Sequence, residues 1–387
     1  MPTAGRGATA QISVEDGAQL REEVHRFLES APRPAGLRDY GATPTVEDVE
    51  AGRKWHRYLA EHGYTCLHWP REYGGAEASV LFQGIFAEEC ARAGVPRQLN
   101  ITSVDLVGPV LIEFGTAQQR RRFLEPIRLG DEIWSQLFSE PGAGSDLAAL
   151  RTRAERTSRG WRVDGQKVWS SAAAVADYGL LLARTGPRKH LDLSMFAVPM
   201  DAPGISVRPL VQIDAESKFN EVFLEGVELG SDALIGEVGQ GWEIALVALG
   251  RERLTLGAQA VSMFRFHEEL LDAARAHGTL DPALSRSMTR LWARLWLLRS
   301  TWQRAIDDGN LTSPAFSVLK LMTSETDRDL GDMATDVLGV DACVDPVDDD
   351  LVKHMLVGRA QTILGGTSEI QRNILGERVL GLPKEPQ

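Results

Sequence analysis

Trp134-Ser-Gln-Leu-Phe-Ser-Glu-Pro-Gly-Ala-Gly-Ser-Asp146 is where the texture of the chain changes. The apolar run through Ile133, Leu137 and Phe138 reads as a strand, and it breaks at Glu140-Pro141 into a loop. Gly142 and Gly144 are expected to give that loop backbone conformations closed to other residues. Such a loop can aim successive backbone N–H groups at an anion, with the Ser145 hydroxyl as a further donor. A phosphate-bearing ligand is the expected occupant.

The rival reading is the dinucleotide-binding strand–glycine loop–helix fingerprint, which requires a helix directly after the glycines. The chain instead continues through Ala149-Leu-Arg-Thr-Arg-Ala-Glu155 and Gly160-Trp-Arg-Val-Asp-Gly-Gln-Lys-Val-Trp169, which read as further strands joined by a turn. A bare Pro-Gly-x-Gly string is a plain turn, so the weight falls on the longer pattern.

Outward from that stretch, 387 residues call for two or three domains. A formal net charge of −12 with no basic tract argues against nonspecific nucleic-acid binding. Cys66, Cys90 and Cys343 lie far apart with no CxxC, which points to a reducing compartment and no structural zinc. The eight histidines show no metal-ligand spacing. Residues 1–10 read as a loose tail rather than a signal peptide. No apolar run approaches the roughly 18 residues of a membrane span, so a cytoplasmic protein is expected.

Residues 1–132 read as helical. Ser13-Val-Glu-Asp16 has capping character, and Leu20, Val24, Phe27 and Leu28 come after it at helical spacing. Further helices are expected at about 46–62, 77–93, 103–115 and 117–129. His68-Trp-Pro-Arg-Glu-Tyr-Gly-Gly75 is a loop between them, read first as a packed connector. Residues 133–237 read as short strands, with Trp161–Val163, Leu180–Ala183, Ser194–Val198, Ile205–Arg208 and Glu221–Leu224 as candidates. Close strand spacing without helices predicts an antiparallel barrel or sandwich. Val238-Gly-Gln-Gly-Trp242 is a hinge into a helical region at 238–387, with segments at about 241–277, 281–309, 313–340, 350–362 and 368–379. Leu291, Leu295, Leu297 and Leu298 suggest a bundle helix with a broad apolar face. The fold class expected is α+β.

Ser139-Glu-Pro-Gly-Ala-Gly-Ser-Asp146, together with the later Gly165-Gln-Lys-Val-Trp-Ser-Ser171, resembles the flavin-binding signature of the acyl-CoA dehydrogenases. The resemblance extends over nearly the whole chain. It implies an N-terminal helical domain, a central β domain and a C-terminal four-helix bundle, with FAD as cofactor. It assigns Gln136, Phe138 and Ser139 to the flavin ring edge, Gly144 and Ser145 to the pyrophosphate region, and Trp169 and Ser171 to the ring face. Thr367 and Glu369 fall in a turn that lies over the cofactor in relatives. Ser145, Arg253, Gly365 and Gly366 fall where relatives hold substrate, and the His68–Gly75 loop lies near their acyl pocket.

In such enzymes one carboxylate removes the α-proton of an acyl thioester while the β-hydrogen leaves as hydride. Donors polarise the thioester carbonyl, and a dry site strengthens the base. Many members carry that base just before a Gly-Thr-Ser. Here the string is Ile363-Leu-Gly-Gly-Thr-Ser-Glu-Ile-Gln371, and the base position is Gly365, which cannot take a proton. Isovaleryl and long-chain types take it instead from a Glu-Arg pair on the long helix after the β domain. Gly250-Arg-Glu-Arg-Leu254 stands there, and Glu252 has Ala248, Leu249, Thr255, Leu256, Ala260 and Met263 as helical neighbours. Gly250 and Gly257 flank it and leave room for a ligand or for close helix contact.

Two family strings are missing. Ala273-Ala-Arg-Ala-His-Gly-Thr-Leu280 lacks the Arg-x-x-Phe-Gly that reaches a neighbouring subunit's cofactor, and Asp336-Val-Leu-Gly-Val340 replaces Gln-x-Leu-Gly-Gly. The expected partners are an acyl-CoA or carrier-bound acyl thioester, an electron-transfer flavoprotein as acceptor, and other subunits in a homo- or hetero-oligomer, dimer or tetramer. Gly376-Glu-Arg-Val-Leu-Gly-Leu-Pro383 looks like the C-terminus of bacterial members, many of which handle sterol side chains or secondary metabolites. The alternatives are a non-catalytic or FAD-sharing partner subunit and a flavin monooxygenase or oxidase on the same fold.

Overall fold

The structure, a computed structural model, describes residues 14–41, 43–251, 256–307, 314–343 and 350–383. Five helices come first: α1 (Val14–Ser30), α2 (Val49–Glu61), α3 (Val80–Ala93), α4 (Gly108–Phe114) and α5 (Ala117–Leu129). The helix expected at 103–115 divides, with a π-helical stretch at Thr102–Val107 leading into α4. Helix α5 starts on a capping box, in which Gln119 N–H donates to the Thr116 hydroxyl at 3.1 Å and Thr116 N–H to Gln119 Oε1 at 2.9 Å. The Gln119 amide nitrogen also donates to the carbonyls of Asp232 and Leu234, both at 2.8 Å, so one side chain starts a helix and moors it to the β domain.

The β domain is one sheet of β1 (Trp134–Leu137), β2 (Arg153–Arg156), β3 (Gly160–Ser171), β4 (Tyr178–Arg184), β5 (Leu193–Pro199), β6 (Ile205–Leu210), β7 (Phe219–Gly230) and β8 (Leu234–Ile235). Its order is β6-β7-β3-β2-β4-β5-β8, with β1 also on β4. The pairing is mixed rather than wholly antiparallel. β1 runs parallel to β4, with Gln136 opposite Leu180, and β2 runs parallel to it where Arg153 faces Arg184. Thus β1 and β2 take successive halves of one edge of β4, and the Glu-Pro-Gly loop leaves the sheet where that edge changes partner.

Strands β4 and β5 are buried on both faces, and the two-residue period sorts their side chains between two cores. Leu180, Leu182, Met195 and Ala197 join a core shared with the first helices. Leu181, Ala183, Phe196 and Val198 face the opposite way and meet Val163, Val222, Leu224 and Val227 of β3 and β7. The sheet therefore folds over on itself, as a sandwich requires. Each such buried Leu, Met, Phe or Val side chain stabilises by about 1.5–3 kcal/mol relative to exposure.

Helix α6 (Gly241–Arg251) lies on the core shared by the sheet and the first helices, through Ile244, Ala245 and Ala248. Helices α7 (Leu256–Ala276), α8 (Pro282–Asp307), α9 (Ala315–Leu338) and α10 (Asp350–Gln361) share a separate core, and α11 (Ser368–Ile374) comes after them. On α8 the buried positions among the described residues are Leu284, Met288, Leu291, Leu295, Leu298, Trp302 and Ala305, at steps of three and four. The apolar face of α8 is narrower than its composition suggests. Leu297 is 60% exposed, and Trp292 and Trp296 are also exposed.

Candidate active site

The loop after β1 is built on a buried ion pair. Lys167, on β3, is 0% exposed, and its Nζ donates to Glu140 Oε1 and to the Phe138 carbonyl, both at 2.9 Å. Glu140 also accepts from the backbone N–H groups of Arg151 at 2.6 Å and Thr152 at 2.8 Å. Burial pushes the Glu140 carboxyl up, but the Lys167 charge and these donors outweigh it and hold it below the usual carboxylate range. Within the loop, Glu140 and Ala143 exchange backbone hydrogen bonds at 3.1 and 3.0 Å.

The glycines do a different job from the one expected. Neither Gly142 nor Gly144 has a positive φ. A Cβ built on either would meet nothing within 4 Å, so both open onto free space, where a side chain would stand in the way of a ligand. Ser145 and Asp146 are exposed beside them, and Asp146 pairs with Lys189 at 2.8 Å. Ser139 and Gln136 are half-buried, whereas Phe138 is buried in the core shared with α6.

The second motif meets the first across β3. Val168 N–H donates to the Ser139 carbonyl at 2.9 Å, and the Ser135 hydroxyl to the Ser171 carbonyl at 2.8 Å. Between Lys167 and Ser170 the pairing of β3 with β7 shifts register. At that bulge Trp169 takes φ +60°, a strained conformation for a bulky residue, and the residue is 58% exposed. Below it the Ser170 hydroxyl and Asn220 Oδ1 are buried without hydrogen-bond partners. An exposed tryptophan on a strained bulge, next to an open glycine loop, fits a ligand with a flat ring and a phosphate.

Gly365 and Gly366 both have positive φ, and the Thr367 hydroxyl caps α11 by accepting from Ile370 N–H at 3.2 Å. The exposed Glu369 carboxylate turns back on its own N–H and the Thr367 hydroxyl, which hold it below its usual range. Gln371 is 0% exposed with neither end of its amide partnered, and a Cβ on Gly366 would come within 2.7 Å of it. Arg372 pairs with Glu325 of α9, so this turn belongs to the bundle. Among the described residues no hydrogen bond or ion pair joins it to the Glu140 loop. The structure thus brings together Gln136, Ser139, Gly144, Ser145, Trp169 and Ser171, and leaves Gly365, Gly366, Thr367 and Glu369 as a second group. Glu252 and Arg253 lie outside the described residues.

The His68–Gly75 loop is packed. Trp69 is fully buried and donates from its indole to the Val104 carbonyl at 3.0 Å, in the π-helical stretch. In that stretch Asp105 accepts from Arg97 at 3.0 Å and lies 3.9 Å from His68. Neither the Lys167–Glu140 pair nor this polar group stands out along the chain. Lys167 was nonetheless within reach, because Trp161, Val163, Gly165 and Lys167 share one face at a two-residue step.

Three family models match in succession. They are the acyl-CoA dehydrogenase N-terminal domain over residues 15–131, the middle domain over 135–227 and the C-terminal domain over 239–380. The chain belongs to the acyl-CoA dehydrogenase family. It is an oxidoreductase acting on CH–CH groups, with FAD as its cofactor, and the loop and bulge fit that group. Acyl-CoA dehydrogenase IpdE1 of Mycobacterium tuberculosis is 40% identical over 382 residues, covering 96% of this chain and 99% of that one. A solved structure titled Tcur3481-Tcur3483 steroid ACAD is 29% identical, with a TM-score of 0.84 over 97% of this chain and all of that one. The ChsE4-ChsE5 complex from Mycobacterium tuberculosis is 28% identical, with a TM-score of 0.82 over 98% of this chain and all of that one. Among the described residues of this acyl-CoA dehydrogenase, no helix is long and apolar enough to cross a membrane.

Proposed function

We propose that this protein carries out FAD-dependent α,β-dehydrogenation of a bulky, ring-bearing acyl-CoA of the steroid-derived class, with Glu252 as the α-proton base. The observation that carries the reading is the joined unit of open glycine loop and strained Trp169 bulge, together with a glycine at position 365. Glu252 takes the proton because Gly365 has no side chain to take it. Support comes from α6, which carries the chain to Arg251 against the core that also buries Phe138, and from Gly250, whose missing Cβ leaves open space. Ser139 and Ser145 supply donors at the loop, and Gln136 lines its base. FAD, held at this loop and at the Trp169 bulge, would supply the hydride-accepting chemistry for the β-hydrogen. The substrate class is supported by the structural relative whose title calls it a steroid enzyme.

The assembly proposed is a hetero-oligomer whose partner supplies cofactor contacts that the 273–280 and 336–340 segments lack, with an electron-transfer flavoprotein as acceptor. Two relatives whose titles name two components support this. A second reading, a non-catalytic subunit of such an assembly, is favoured by Gly365 and by the family strings missing at 273–280 and 336–340. The test is anaerobic titration of the flavin-loaded protein with linear, branched and steroid-derived acyl-CoAs, monitored at the flavin absorbance. Bleaching by the steroid-derived class is expected. Bleaching only in complex with a co-expressed partner, unchanged when this chain carries Glu252→Gln, would make the second reading correct.

A further inference from the structure

We propose that Lys167 is a positioning residue that couples the Glu-Pro-Gly loop to the Trp169 bulge, so that one buried ammonium sets both sides of the FAD site. Three contacts stitch the two motifs together within three residues of each other on each strand. They are Lys167 Nζ to the Phe138 carbonyl, Lys167 Nζ to Glu140 Oε1, and Val168 N–H to the Ser139 carbonyl, all at 2.9 Å. The residues they flank are Ser139 on one side and Trp169 on the other. Glu140 extends the tie to the far end of the loop through the N–H groups of Arg151 and Thr152. The loop is closed into a ring with Lys167 at its centre.

Stability alone does not call for this arrangement. A fully buried lysine loses its hydration, and a buried ion pair can usually be exchanged for apolar residues of similar volume with no loss of stability. An apolar pair would fill the same space, but it would not draw the Phe138 carbonyl inward or orient the carboxylate that closes the loop. Directional hydrogen bonds are what an apolar substitute lacks. The inference rests on the family's FAD requirement and is independent of Glu252 and of the acyl group.

The test compares wild type, Lys167→Met and the double variant Lys167→Met/Glu140→Gln, each stripped of flavin. It measures the melting temperature of the apoprotein, the FAD dissociation constant by flavin fluorescence quenching, and the shape of the bound-flavin absorbance band. Lys167→Met alone leaves the Glu140 charge buried and should lower the melting temperature. The double variant carries no buried charge at this pair, and its amide oxygen can still accept from a backbone N–H of Arg151 or Thr152. It should recover part of that temperature, yet still bind FAD at least about tenfold more weakly than wild type, a loss of about 1.4 kcal/mol. Its flavin band should remain altered. If the double variant recovers FAD affinity together with stability, the pair is only structural and the proposal fails. It fails equally if Lys167→Met binds FAD as wild type does, or if no charge-removing variant folds. Failure of the wild-type apoprotein to take up FAD even with its co-expressed partner present would instead overturn the cofactor site itself.

Discussion

Trp169 stands edge-on to Phe219, with ring centroids 6.2 Å apart and planes at 85°, on a backbone held at φ +60°. Phe219 begins β7 and packs against the indole, while Trp169 as a whole stays 58% exposed. A tryptophan in this conformation costs of order 1–3 kcal/mol, and such strain persists where the surroundings over-determine it.

Replacing Trp169 by glycine should separate that strain from its use. The backbone at φ +60° suits glycine, and the residue is mostly exposed, so apoprotein stability should hold or rise, by about 1 kcal/mol at most. FAD affinity should fall by about tenfold or more. Urea unfolding of the apoprotein, set beside flavin titration, checks both. A drop in stability with unchanged FAD binding would remove Trp169 from the site.

Glu252→Gln should retain flavin while losing reduction by substrate, because an amide cannot accept the α-proton. A fall of at least about 10²-fold in the anaerobic reduction rate is expected for loss of a general base. Near wild-type reduction would place the base elsewhere.

The Lys167–Glu140 pair gives the cofactor site a pH window. Below about pH 4.5, protonation of Glu140 discards the stability that its lowered pKa supplies above that range, so both fold and flavin retention weaken with acid. Burial lowers Lys167 to about 8, against the pull of Glu140. Between about 8 and 10.5 the unfolded chain holds more protons at this residue than the folded one, so this group makes the fold no less stable as pH rises. The neutral amine nevertheless leaves Glu140 without its counter-charge. FAD affinity should decline above pH 8 while the apoprotein melting temperature does not decline through this group. Flavin titrations from pH 7 to 9.5 check this, and a flat dissociation constant would contradict it.

Gly108→Ala tests the packing behind the site. The added Cβ would stand 1.9 Å from Cζ2 of Trp69, which is fully buried and hydrogen-bonded to Val104, so the indole has little room to yield. Overpacking of about 1–3 kcal/mol is expected, measurable by urea unfolding. A neutral result would show that the π-helical stretch can shift.

The order of helices, strands and helices was legible along the chain, because each type prints its own hydrophobic period. The two flavin motifs were legible because their glycines, serines and tryptophan fall in a fixed order. Leu297 shows where composition misleads, since a helix rich in leucine buries only the stripe its register turns inward. The mixed pairing of β1 and β2 was hidden because parallel neighbours come from distant strands and no turn between them marks the contact.

By itself the sequence determined the family and the absence of a carboxylate at Gly365, and its resemblance to the family pointed to Glu252 as the candidate base. These are matters of which atoms exist at which positions. Tertiary structure alone decided that Gly142 and Gly144 serve as open space rather than as special backbone, that Trp169 is strained, and that Lys167 reaches Phe138 and Glu140. Those facts depend on how strands distant in the chain are brought within hydrogen-bond distance, and on a buried charge finding its counter-charge there.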